Sequence, residues 1–205
     1  MKLSAVLLAG GESHRMGRDK ATALFRGRPL WNHQLELLRA IEPLEIFISA
    51  RTDPPWRPPT TIFVRDLLPR RGPLGGLAAA LTQTKGTHLL ALAVDMPLMT
   101  ASFLKSISDM AEIGQGILPT ITTRAEALAA IYPADCANTV SAAVHGEDFS
   151  LQQLTKNLLK DGYLRVVEVH PAYEPLFRSL NTPEDLRMAE DSPASEGEFE
   201  LIPNG

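Results

Sequence analysis

The chain has 205 residues, 44% of them hydrophobic, and a formal net charge of −4. That length allows one large domain or two small ones, and a charge near balance excludes a global basic field for nucleic acid or an anionic membrane. The lone Cys136 excludes an intramolecular disulfide and fits a reducing compartment, so the expected location is the cytoplasm.

Leu3 to Ala9 is a continuous apolar run closed by Gly10-Gly11, which predicts a strand buried on both faces. It is too short, and too soon followed by Glu12, Arg15 and Arg18, to be an export signal. No run approaches the roughly twenty apolar residues of a membrane helix. Pro29 to Ile41 carries Leu30, Leu35, Leu37, Leu38 and Ile41 at amphipathic helical spacing, and Pro43 ends it. Strands are predicted at Glu45–Ser49 and Thr61–Val64, with the proline-rich stretch from Asp53 to Pro59 as a loop between them. Leu74 to Thr84 reads as a helix, and His88 to Val94, uninterrupted and apolar, as a central strand.

Farther on, a helix is predicted over 101–112, a strand at Leu128–Tyr132, and a helix opened by Pro133 that continues through Ser141–Val144. Ser150 is placed to cap a helix reaching Lys160 and stopped near Gly162. Val166–Val169 reads as a strand, and Thr182-Pro183-Glu184-Asp185 as a capped, proline-started final helix. The segment 190–205 is acidic and weakly apolar, and a disordered tail is expected there. Alternating strands and helices imply a three-layer α/β/α fold with a mostly parallel sheet. In such sheets ligands bind beyond the carboxyl ends of the strands. Gly10-Gly11, Asp66 and Asp95 all follow predicted strands.

The loop after the first strand is glycine-rich and cationic. Gly10 and Gly11 let backbone N–H groups approach a ligand, while Arg15, Arg18 and Lys20 surround the turn with positive charge. It is neither a P-loop nor a dinucleotide fingerprint: five residues separate Gly11 from Gly17, and Gly10 and Gly11 are adjacent.

Leu8-Ala9-Gly10-Gly11, Arg15-Met16-Gly17 and Lys20 resemble the signature of nucleotidyltransferases built on a nucleotide-binding α/β domain. Within that superfamily the likeness is to the molybdenum cofactor guanylyltransferases. It extends through Asp19-Lys20-Ala21, Gly27-Arg28-Pro29-Leu30, Gly72-Pro73-Leu74-Gly75-Gly76, Asp95-Met96-Pro97 and Asn181-Thr182-Pro183-Glu184-Asp185. The resemblance implies a Rossmann-like, GT-A-like nucleotidyltransferase domain over 1–189, with a nucleotide-binding half at about 1–100 and an acceptor half at about 101–189.

It also implies roles. Leu8, Ala9, Gly10, Gly11, Lys20, Asp66 and Asp95 would bind nucleotide, Arg15, Lys20 and Asp95 would act in catalysis, and Asn181 would face the acceptor or the metal. Asp95 would hold Mg²⁺, a hard cation that prefers oxygen ligands. By position alone, Asp95 equally suits a turn or helix cap, Asp66 an ion pair with Arg65 or Arg70, and Asn181 a helix N-cap. The family's asparagine after the second strand is absent, since that neighbourhood reads Ser49-Ala50-Arg51-Thr52-Asp53. None of the histidines His14, His33, His88, His145 and His170 has metal-like spacing.

The expected activity is GMP transfer from GTP to the phosphate of molybdopterin, releasing pyrophosphate. The expected partners are these substrates and, beyond them, molybdoenzymes or cofactor-assembly proteins. Two alternatives stand beside it. One is a cytidylyltransferase acting on the same cofactor or on a sugar or polyol phosphate; the family tendency is Leu-Ala-Gly-Gly for guanylyl and Leu-Ala-Ala-Gly for cytidylyl transfer, so Gly10 favours the former. The other is a nucleotide-binding chaperone or partner subunit without turnover.

Overall fold

The computed structural model describes residues 1–10, 19–66, 71–190 and 201–203. Its frame is a nine-stranded sheet, within which β1 (Leu3–Leu8), β4 (Ile46–Ala50), β5 (Ile62–Arg65) and β6 (His88–Ala93) form the first half. β7 (Gly116–Ile121), β8 (Arg124–Ala125), β9 (Ala129–Pro133), β10 (Leu164–Val169) and β11 (Leu201–Pro203) complete it. The order is β11-β10-β7-β9-β6-β1-β4-β5, with β8 paired to β7. β2 (Leu24–Phe25) and β3 (Arg28–Pro29) make a separate two-stranded ribbon.

Pairing is parallel from β5 through β4 and β1 to β6, and between β7 and β10. β9 runs antiparallel to both β6 and β7. The Leu128–Tyr132 strand expected from sequence is therefore present but reversed against its neighbours. Gly116–Pro119, to which the sequence pattern gives no assignment, is the body of β7.

Side chains of β1 alternate between two cores, as the period of a strand requires. Ala5 and Leu7 face one cluster with Leu30, Leu35 and Leu38 of α1 (Leu30–Ala40) and Phe103, Leu104 and Ile107 of α3 (Ala101–Asp109). Val6 and Leu8 face the other, with α2 (Pro73–Leu81), Val140 and Val144 of α4 (Ala137–His145), and Leu154 and Leu158 of α5 (Leu151–Lys160). A sheet with an apolar layer on each face explains why its central strands read as continuous apolar runs. All six residues of β6 are buried.

Local chemistry sets the helix ends. Ser150 Oγ accepts from Gln153 N, as expected, and Thr100 does the same for Phe103 N at the start of α3. α3 stops at Asp109 rather than Glu112, which instead bridges to Gln115. α6 (Pro183–Glu190) starts in a reciprocal cap: Thr182 Oγ1 accepts from Asp185 N at 3.0 Å, and Asp185 Oδ2 accepts from Thr182 N at 2.9 Å. The Asn181 N–H, which donates to the same Asp185 oxygen at 2.9 Å, and then the Thr182 groups hold the Asp185 carboxyl below its ordinary range. Of the tail expected to be disordered, Glu190 ends α6 and Leu201–Pro203 adds an antiparallel edge strand to β10. Residues 191–200, 204 and 205 lie outside the described residues.

Cys136 is buried in a 3-10 turn, where desolvation pushes its thiol up to about 12. His88 is equally buried, with Nε2 2.9 Å from the Glu112 carbonyl oxygen, a packing role. No described helix is long and apolar enough to cross a membrane.

Candidate active site

The site follows from the strand order. From β1 the chain steps to β4 and β5 on one side, and then returns to place β6 on the other side of β1. The carboxyl ends of β1 and β6 therefore flank the point where the winding reverses, the crevice in which open α/β sheets bind ligands. Ala9-Gly10 leaves β1 there and Val94-Asp95 leaves β6 there. Leu8 O accepts from Val94 N at 3.1 Å, which keeps the two exits in register, and Ala9 N donates to Ser49 O of β4 at 2.9 Å.

Three of the sequence-predicted residues meet at this point. Lys20 Nζ donates to Asp95 Oδ2 at 2.6 Å and to Asn181 Oδ1 at 2.7 Å. The Lys20 and Asp95 side chains retain 16% and 19% of their exposure, leaving the pair open to a ligand at one edge. Each arrives from a different element. Lys20 begins a 3-10 turn whose Ala21, with Ala23 just beyond, is fully buried in the first core. Asp95 follows the buried β6. Asn181 is brought in by Leu180, which is buried and donates its N–H to the Asp95 carbonyl at 2.9 Å. Thr182, not Asn181, supplies the side-chain cap of α6, which leaves the Asn181 carboxamide oxygen to accept from Lys20.

A second group lies on the β4 side. Asp66 Oδ1 accepts from Ser49 Oγ at 2.6 Å, while Arg70, offered with Arg65 as an ion-pair partner, lies outside the described residues. A Cβ on Gly10 would stand 2.8 Å from Asp66 Oδ2, and one on Gly76 would stand 2.0 Å from Ser49 Oγ. The two glycines are thus required by close approach: they let the β1 exit, Asp66 and the start of α2 crowd together. Ser49 was not signalled by any motif; a small hydroxyl residue in an otherwise apolar strand is the only trace it leaves in the sequence.

The proposed residues Gly11 and Arg15, with Arg18, fall outside the described residues. Asp66 belongs to the Gly10–Ser49 group and makes no hydrogen bond to the Lys20 group among the described contacts. Next to Asp95 in the chain, Met96 helps line a cavity of about 760 Å³ with Leu98, Leu128 and Phe177, where Arg124, Glu126, Glu174, Arg178 and Ser179 supply polar groups. Burial raises the Glu126 carboxyl above the usual carboxylate range, against the Arg124 guanidinium that donates to it at 2.6 Å.

Among the described residues no group of three or more His, Cys, Asp or Glu side chains is gathered for a metal. The fit of a divalent cation rests on other donors. Asp95 and Asn181 turn two oxygens toward one cationic nitrogen, so the point between them stabilises positive charge. Mg²⁺ commonly takes only one or two protein oxygens and completes its shell with water and substrate phosphates. The donor set suits it.

Residues 5–163 match the MobA-like NTP transferase domain. The chain is 32% identical over 186 residues to a probable molybdenum cofactor guanylyltransferase of Opitutus terrae, covering 89% of this chain and 92% of that one. It is 30% identical over 199 residues to the molybdenum cofactor guanylyltransferase of Rhizobium meliloti, covering 91% and 89%. In fold it resembles the molybdopterin-guanine dinucleotide biosynthesis protein A of Archaeoglobus fulgidus, with a TM-score of 0.70, 21% identity, and coverage of 92% and 97%. A nucleotidyl transferase of Methanothermobacter is similarly close, with a TM-score of 0.71 at 16% identity, covering 93% and 96%. The chain belongs to the MobA-like NTP transferase family.

Proposed function

We propose that this protein transfers GMP from GTP to the terminal phosphate of molybdopterin, forming the guanine dinucleotide and releasing pyrophosphate. The observation that carries the reading is Lys20 joined to Asp95 and Asn181 at the reversal point of the sheet. Relatives named as molybdenum cofactor guanylyltransferases along most of the chain supply the substrates.

The chemistry needs positioning more than proton transfer. An acceptor phosphate oxygen attacks the α-phosphorus of GTP, the bond from that phosphorus to the bridging oxygen breaks, and the electron pair leaves with pyrophosphate. The attacking oxygen is already anionic, so no general base is required. Catalysis then consists of aligning two polyanions and neutralising charge on the bridging oxygen. We assign that neutralisation to the Lys20 ammonium, with Arg15 as a second cation. The Gly10-Gly11 backbone is assigned to the phosphates and Asp66 to the ribose or guanine edge. Mg²⁺ held by Asp95 would supply further charge compensation on the phosphate oxygens when bound.

Asn181 in this scheme holds Lys20, and it lies two residues beyond Ser179, which lines the cavity beside Met96. We assign that cavity, in the half after residue 100, to the acceptor, and treat residues 1–189 as one domain working on both substrates. The cytoplasm is the compartment that suits a lone, buried, neutral thiol.

The experiment is to incubate the protein with GTP, Mg²⁺ and molybdopterin and follow pyrophosphate together with the dinucleotide. Acceptor-dependent pyrophosphate release from GTP supports the reading. Release from CTP in preference to GTP moves the assignment to cytidylyl transfer, and nucleotide binding without turnover moves it to a binding subunit.

A further inference from the structure

The proline-rich β4–β5 loop reaches the residue beside Lys20. Trp56 Nε1 donates to Asp19 Oδ2 at 3.0 Å, while Asp19 Oδ1 accepts from Ala21 N at 3.0 Å and caps the 3-10 turn that Lys20 begins. Both carboxylate oxygens of Asp19 are therefore committed, one inside the turn and one to a loop 37 residues away. Thr22 Oγ1 also donates to the Asp19 carbonyl at 2.7 Å, so the turn moves with Asp19 as a unit.

The loop is built to hold Trp56 still. It reads Asp53-Pro54-Pro55-Trp56-Arg57-Pro58-Pro59, and each proline fixes its own φ. Arg57 braces it, pairing with both Asp53 oxygens at 2.6 and 2.9 Å and donating to the Thr61 carbonyl at 2.6 Å. The Trp56 ring stacks on Trp31 of α1, with centroids 5.2 Å apart and planes 11° apart. Stiff backbone, braced ends and a stacked ring fix the direction of one indole N–H. Anchoring the turn in the core does not require this clamp, because Ala21 and Ala23 already do so.

We propose that Trp56 is a positioning residue for Lys20: by holding Asp19 it fixes the turn whose first residue sends an ammonium to Asp95 and Asn181. The proposal rests on Lys20 acting in GMP transfer.

The test uses Trp56→Phe, which keeps an aromatic ring on Trp31 and removes the N–H donor together with the second ring of the indole. Losing a hydrogen bond to a charged group corresponds to about a tenfold fall in kcat if the misplacement is felt in the transition state. The expected result is that fall, with KM for GTP changed less than about threefold and the thermal midpoint within about 2 °C. Asp19→Ala is expected to lower kcat at least as far, and Trp56→Phe added to it to change nothing more, because both act through one contact. Full additivity of the two substitutions overturns the proposal. So does a Trp56→Phe protein that melts lower yet turns over normally, which would make Trp56 a packing residue alone. Lys20→Ala run alongside separates the two levels. If it turns over normally, the reading of the site fails and the proposal with it; if it collapses while Trp56→Phe turns over normally, the proposal alone fails.

Discussion

Lys20 and Asp95, 75 residues apart in the chain, meet through a 2.6 Å hydrogen-bonded ion pair at the reversal point of the sheet. Charge-assisted pairs of this length are strong and directional, yet this one keeps one edge exposed. In the proposed reaction an incoming triphosphate, which carries the same kind of charge as the Asp95 carboxylate, would compete for the same ammonium. On that proposal the pair would be a placeholder for substrate, keeping Lys20 extended toward the phosphate position before GTP binds.

Asp95→Asn removes one charge while keeping the shape of the side chain. Leu180 bonds the Asp95 backbone carbonyl rather than the carboxylate, so the docking of the 180–182 segment survives the change. Metal-dependent turnover should collapse while the far-UV circular dichroism and thermal midpoint stay close to wild type. Unchanged turnover at limiting Mg²⁺ would remove Asp95 from the metal site.

Gly10→Ala places a Cβ 2.8 Å from Asp66 Oδ2 in the present geometry, so the carboxylate must swing away from the β1 exit. The obstacle is the end of a side chain, and folding should survive. Nucleotide recognition should not. In a thermal-shift comparison of the four nucleoside triphosphates with Mg²⁺, wild type should be stabilised most by GTP, by about 2.7 kcal/mol at a hundredfold excess over Kd. The alanine variant should lose most of that preference. An equal GTP shift in both proteins would detach Gly10 and Asp66 from the nucleotide.

Gly76→Ala is a test of packing. Its Cβ would stand 2.0 Å from Ser49 Oγ and 2.9 Å from Ser49 Cβ, in a helix start packed on a fully paired strand. Overpacking of this kind typically costs about 1–3 kcal/mol. Urea denaturation should show that loss, and a change below about 0.5 kcal/mol would mean that α2 shifts freely on the sheet.

Much of this architecture is legible in the sequence. The runs Leu3–Ala9 and His88–Val94 declare buried strands because a sheet covered on both faces has no polar side to alternate with. Asp95 could be placed at a strand end for the same reason. What the pattern hides is pairing. Leu128–Tyr132, observed as Ala129–Pro133, reads as a strand in either direction, and its reversal against β6 depends on the path of the chain, not on local preference. The three-way contact of Lys20, Asp95 and Asn181 joins segments up to 161 residues apart, and no spacing rule encodes it. Asn181 looked like a cap because Asn-Thr-Pro is a good helix start; Thr182 takes that role, through a hydroxyl whose partner is Asp185. Trp56 was hidden for the opposite reason, since a run of prolines reads as connection and says nothing about what its tryptophan touches.

The most direct measurement is steady-state transfer of labelled GMP from GTP to molybdopterin by wild type and Lys20→Ala. If the ammonium neutralises charge that grows in the transition state, kcat and kcat/KM should fall together, on the order of a hundredfold or more. Lys20→Arg should recover only part, because a planar guanidinium places its charge differently from an ammonium. An alanine variant within about twofold of wild type, the behaviour of a solvated surface lysine, would contradict the account.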